Sequence, residues 1–175
     1  MPMHTGQENP PGASVRADMD RQRVFLTFAT GDLAQARPVA ARLISGGGIS
    51  LDHALTGEPF ASVRGDFIRA SLLNRLRHCT SALCLYGPRT ADDAWVRWAL
   101  ETAAELRLPL LGAALPGEDA WDAERYLTRL GAELVPLNRD AILTRTRAAA
   151  TGRASRAIDA ASIAETIHLM RHPLR

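Results

Sequence analysis

Few side chains in this 175-residue sequence could do chemistry, and their spacing restricts what that chemistry can be. Cys79 and Cys84 are its two cysteines, and no further Cys or His spacing completes a metal set. They read as small buried hydrophobes in a reducing compartment rather than as a redox pair. His168 and His172 are an i, i+4 pair without a third ligand nearby, so a solvated helix end is the plainer reading than a metal site. His53 directly follows Asp52 where a short strand-like run gives way to a long polar loop, a position open to ligands but also to an ordinary surface residue. The run Asp93-Ala-Trp-Val-Arg-Trp-Ala-Leu-Glu101 places Trp95 and residue 99 one helical turn apart. Residue 99 is Ala99, and Glu101 faces away from the stripe that carries it and Trp95, because two residues along a helix rotate a side chain by about 200°.

Composition removes other mechanisms. All 21 basic residues are arginine, so there is no lysine for a P-loop, a Schiff base or a phospho-receiver site. The triple glycine 46–48 closes a helix instead of opening one, which is not the dinucleotide fingerprint. A net charge of +2 is too mild to imply nucleic acid. The Arg-rich stretch 139–157 lacks the interleaved aromatics that stack bases and reads as a solvated loop or loose helix. With 46% apolar and 23% charged residues the chain is of globular type. No apolar run approaches the roughly 20 residues of a membrane span, and no secretory h-region is present, so a bacterial cytoplasmic location without membrane partners is expected.

The elements that must position these residues alternate. Residues 1–22 are rich in Pro and Gly and read as a flexible tail. Arg23 to Phe28 is a β-branched and aromatic strand. Asp32 is placed to cap a helix whose Leu33, Ala36, Val39, Ala40 and Leu43 form one face. Ile49 to Asp52 is a second strand, and a loop over 53–65 follows. Asp66 is expected to cap the next helix, with Phe67, Ile68, Leu72, Leu73 and Leu76 facing inward. Ser81 to Tyr86 is apolar throughout, as in a central parallel strand buried on both faces. The tryptophan helix follows, with Val96, Leu100, Ala103 and Ala104 on its core face and Trp95, Ala99 and Thr102 on an intermediate stripe bordered by Trp98. Leu108 to Leu115 is a strand, 119–130 a helix, 133–137 a short strand and 158–171 an amphipathic helix. Such alternation predicts an α/β, flavodoxin-like three-layer fold with a central five-stranded parallel sheet, whose ligands sit at the C-terminal strand edge. Residues 23–138 make the domain, with 139–175 packing on it.

The segment from Cys79 to Glu101, read with Val24-Phe-Leu-Thr-Phe28, Asp32, Asp52 and Gly65-Asp-Phe-Ile-Arg69, resembles the TIR-like domain of the Thoeris antiphage defence ThsB family over roughly residues 23–115. The resemblance implies a TIR domain that takes NAD+ as substrate, without a metal. Its reaction cleaves the nicotinamide–ribose bond and makes an ADP-ribose-derived signal. It places the catalytic glutamate at Ala99 and substrate contacts at Phe28, Ala29, Thr30, Asp32, Asp52, His53, Trp95 and Trp98. It also implies a homo-oligomer assembled through loop 53–65 and neighbouring helices, and a separate effector protein that senses the product. With alanine at 99 the chain is expected to be inactive, either as an altered enzyme or as a natural TIR scaffold for protein assembly. A nucleoside deoxyribosyltransferase, which also sets a carboxylate near a sugar, is a further enzyme class on this layout.

Overall fold

A computed structural model describes residues 22–45, 49–53, 58–117 and 120–152. Strand and helix alternate: β1 (Gln22–Thr27), α1 (Leu33–Ser45), β2 (Ile49–His53), α2 (Val63–Arg77), β3 (Ser81–Tyr86), α3 (Ala94–Glu105), β4 (Leu110–Ala114), α4 (Trp121–Arg129) and β5 (Glu133–Leu134). A further helix, α5, covers 139–152. All pairings are parallel, in the order β2-β1-β3-β4-β5. That is the flavodoxin-like order, so the expected three-layer α/β architecture is present. Its fifth strand is only two residues long.

Period-2 alternation divides the core between the two faces of the sheet. Val24, Leu26, Leu83, Leu85, Leu111 and Ala113 turn toward Ala36 and Leu43 of α1 and Ile142 and Leu143 of α5. On the opposite face Phe25, Ala82 and Leu110 meet Leu72 and Leu76 of α2 and Ala99 and Ala103 of α3, while Cys84 and Tyr86 meet Val96, Leu100 and the α4 residues Ala123 and Leu127. β3 is buried at every position, because helices cover both of its faces.

Three sequence expectations change. The Arg-rich stretch is neither loop nor loose solvated helix as far as residue 152: α5 buries Ile142, Leu143 and Thr146 against β1, β3 and β4 and turns Arg145 and Arg147 outward. The cap of α2 is Ser62, whose hydroxyl accepts from the Gly65 amide at 2.9 Å, and Asp66 falls within the first turn. Phe67 points outward with 75% exposure, because the buried stripe of that helix runs through Gly65, Leu72 and Leu76. The expected tail, the 158–171 helix and its His168–His172 pair, and the glycine run lie outside the described residues. No helix among the described residues is long and apolar enough to cross a membrane.

Candidate functional site

After β1 the chain runs to α1 and then outward to β2, whereas after β3 it runs the other way, to α3 and then β4. The C-terminal ends of β1 and β3 therefore face each other at the point where the winding reverses, the crevice in which open α/β sheets bind ligands.

Two tight turns meet there. Thr30–Asp32 forms a 3-10 turn after β1, and Thr90–Asp92 forms another after β3. Their approach is close. A Cβ on Gly87 would lie 2.8 Å from Asp32 Oδ2, and one on Gly31 would lie 2.5 Å from Arg89 Cδ, so both positions require glycine unless the facing side chain moves. Thr90 is fully buried and its Oγ1 accepts from the Gly87 amide at 2.9 Å, closing the second turn on itself. Asp93 joins the two segments. Its Oδ1 accepts from the Trp95 and Val96 amides as the N-cap of α3, and its Oδ2 accepts from the Thr30 amide at 3.1 Å.

Asp32 is the carboxylate inside this joint. It is 7% exposed, and its Oδ2 is buried with no hydrogen-bond partner. Burial raises its pKa, the nearby Arg89 guanidinium opposes that shift, and Asp93 adds to it. An acid held this way destabilises the fold, and such groups cluster at ligand-binding and catalytic positions. Asp32 directly precedes α1, at the cap position, but no first-turn amide donates to its carboxylate, so the expected side-chain cap is not formed.

The other expected site residues divide. Phe28 lies in the α1-side core and Ala29 under Val96 and Leu100, on opposite faces, so of the trio only Thr30 reaches the surface. β2 carries Asp52 and His53 as its last residues, paired with Phe25 and Leu26 of β1. The side chains of both lie outside the described part. Trp95 is half-buried, and its indole N–H donates to the Glu58 carbonyl at 2.9 Å. Its ring meets Phe60 edge-on at 5.0 Å and Trp98 at 6.4 Å. Arg69 completes the cluster by stacking on Phe60 and donating to the Phe60 carbonyl at 2.6 Å. A Cβ on Gly65 would meet that same carbonyl at 2.5 Å. The tryptophan pair and the Gly65-Asp66-Phe67-Ile68-Arg69 segment thus clamp the far end of the loop after β2.

Ala99 departs furthest from expectation. It is 4% exposed and belongs to the apolar cluster of Phe25, Leu72, Leu76, Cys79, Ala82 and Ala103. The intermediate stripe assigned to it and Thr102 is in fact part of the buried face of α3. A glutamate here would enter a packed interior of carbon and sulfur.

Sequence reading did not single out Gly87, Arg89 or Asp93 as site residues. Asp93 immediately before the Trp95 helix carries a cap signature, but its second bond, to Thr30, depends on the strand order. Neither thiol offers a nucleophile: both are buried, and burial pushes the Cys84 thiol well up. Among the described residues no three His, Cys, Asp or Glu side chains cluster as metal ligands.

No family model and no curated protein matches the sequence. Solved structures similar to it include a CMP N-glycosidase, BcmB, from Clostridium botulinum, at 13% identity, covering 71% of this chain and 97% of that one, with a TM-score of 0.45. The TIR domains of the activated Roq1 resistosome are 17% identical, covering 74% and 82%, with a TM-score of 0.41. A 3-dehydroquinate dehydratase-like protein from Bifidobacterium longum is 13% identical, covering 75% and 96%, with a TM-score of 0.38. Likenesses of this order assign no activity to the chain. The resemblance to TIR-like domains stands on the motifs.

Proposed function

We propose that this chain is a TIR-like domain that binds NAD+ or a related ADP-ribose-bearing ligand at the crevice between β1 and β3 and does not turn it over. The observation that carries the reading is Asp32, a buried carboxylate with an unpartnered oxygen at the switch point, beside an arginine and two glycine-bearing turns. A carboxylate satisfies such an oxygen by accepting from a ligand hydroxyl such as that of a ribose, and the Arg89 guanidinium suits a pyrophosphate. Cleaving the glycosidic bond requires a second element, a carboxylate against the ribose that stabilises the oxocarbenium-like charge. The TIR resemblance assigns that role to position 99, where this chain has an alanine inside its core. The parent activity in this reading is NAD+ cleavage that produces a defence signal, of which the chain retains the binding half.

Calorimetric titration with ADP-ribose tests the binding half. Asp32→Asn should weaken the interaction roughly tenfold, the worth of a hydrogen bond to a charged group. Equal affinity of the variant and the parent would remove Asp32 from the site.

A second reading, the TIR scaffold, has its own support. Val63 and Phe67 are 77% and 75% exposed and lie one turn apart on α2, beside the loop that follows β2. In this reading copies of the chain assemble through that face. Light scattering over a concentration series should show association that Phe67→Arg abolishes, and a strict monomer at all concentrations would rule it out.

A further inference from the structure

A second crevice lies on the other flank of α3, away from Trp95. It is a cleft of about 580 Å³ lined by Ala91, Asp92, Arg97, Asp122, Arg125 and Tyr126, with Arg129 at its side. Its volume falls in the range of small-molecule sites. Among the described residues these guanidiniums make a single, long ion pair. Arg97 reaches Glu101 only at 4.0 Å, with both side chains about half exposed, and otherwise lies over the Tyr126 ring. Arg125 stacks on the Trp121 ring at 4.5 Å, and Arg129 has no ion-pair partner among the described residues. The acidic groups facing the cleft are Asp92 and Asp122, with Glu101 at its rim, held by the Tyr126 hydroxyl at 3.0 Å. Three arginines from two helices offer the planar, bidentate donors that grip phosphate oxygens. Asp92 and Asp122 offer acceptors for sugar hydroxyls. Trp121, 58% exposed at the start of α4, lies next to the lining residue Asp122 and stacks with Arg125, so a base at the mouth of the cleft would meet its ring.

We propose that this α3–α4 cleft binds a nucleoside phosphate: phosphates on Arg97, Arg125 and Arg129, sugar hydroxyls on the aspartates, and the base against Trp121. The cleft shares the Thr90–Asp92 turn with the Asp32 crevice but is lined by neither Asp32 nor Arg89, and the proposal does not rest on the reading given to that crevice. Calorimetry with ADP, ribose 5-phosphate and inorganic pyrophosphate tests it on the full chain, using the double variant Arg125→Ala/Arg129→Ala together with Trp121→Ala and Asp32→Asn. Arg125, Arg129 and Trp121 are exposed on α4, and unchanged circular dichroism checks that their variants keep the fold. ADP should bind more tightly than ribose 5-phosphate or pyrophosphate. The arginine double variant should lose roughly tenfold or more in affinity, Trp121→Ala should lose the preference for ADP over pyrophosphate, and Asp32→Asn should leave ADP binding here unchanged. Absence of ADP binding, equal binding by the arginine variant, or loss only in Asp32→Asn would overturn the proposal. ADP binding no tighter than pyrophosphate, or unaffected by Trp121→Ala, would overturn its nucleoside part.

Discussion

Asp32 and Ala99 both lie in settings that their sequence neighbourhoods do not suggest. Asp32 reads as a helix cap in sequence and lies in space as a desolvated acid at the switch point; Ala99 reads as a vacant catalytic position and lies as a core residue. Each placement has a measurable consequence. The pKa of Asp32 is raised from its ordinary 3.8 in the folded state. Below that ordinary value the group is protonated in both states and burial costs nothing. Above its folded value it is ionised in both, and the cost of burial is fully present. Asp32→Asn should therefore be more stable than the parent at neutral pH, by a margin that shrinks as the pH falls toward 3.8, which thermal melts across pH will show. Ala99→Glu should destabilise by about 2–4 kcal/mol in urea unfolding, since it forces an ionisable group and added volume into a closed apolar cluster. The resemblance placed Asp32 among the substrate contacts, but neither its isolation nor the core burial of Ala99 was visible from one residue's surroundings, because burial at 99 depends on α2 packing across α3, and the isolation of Asp32 depends on the approach of the loop after β3.

At the level of elements, local pattern was a good guide where one face dominates. The β1 run, the fully apolar β3 and the α1 face through Ala36 and Leu43 lie where their periodicities placed them. It failed at α5, where a helix rich in alanine and arginine docks through only Ile142, Leu143 and Thr146, too few apolar positions to stand out among its charges. It also failed at Phe67, an aromatic residue that sequence assigns inward by type and the packing of α2 leaves outside. The joint between elements is where function and stability meet. Asp93 caps α3 and holds the turn after β1 through the Thr30 amide, so it orients the two walls of the crevice together. Asp93→Ala should cost about 1–2 kcal/mol of unfolding free energy. It should also speed amide exchange at Thr30, whereas loss of a helix cap alone would leave that amide unchanged.

For the whole molecule, a parallel sheet with helices on both faces places every candidate group of the crevice at one edge. Alternation alone pointed to that edge. It could not show which carboxylate would be isolated there, because that follows from the order of strands in space. In the proposed function the domain retains a ligand crevice and lacks the acid needed to use it. One proton NMR experiment examines both halves: NAD+ incubated with the Arg125→Ala/Arg129→Ala protein, so that only the crevice is left to bind it, its nicotinamide and adenine resonances followed over hours beside the same protein carrying Asp32→Asn. Broadened NAD+ resonances that sharpen in the Asp32→Asn sample, with no free nicotinamide appearing, are the predicted result. Accumulating nicotinamide, or NAD+ resonances indifferent to the protein, would contradict it.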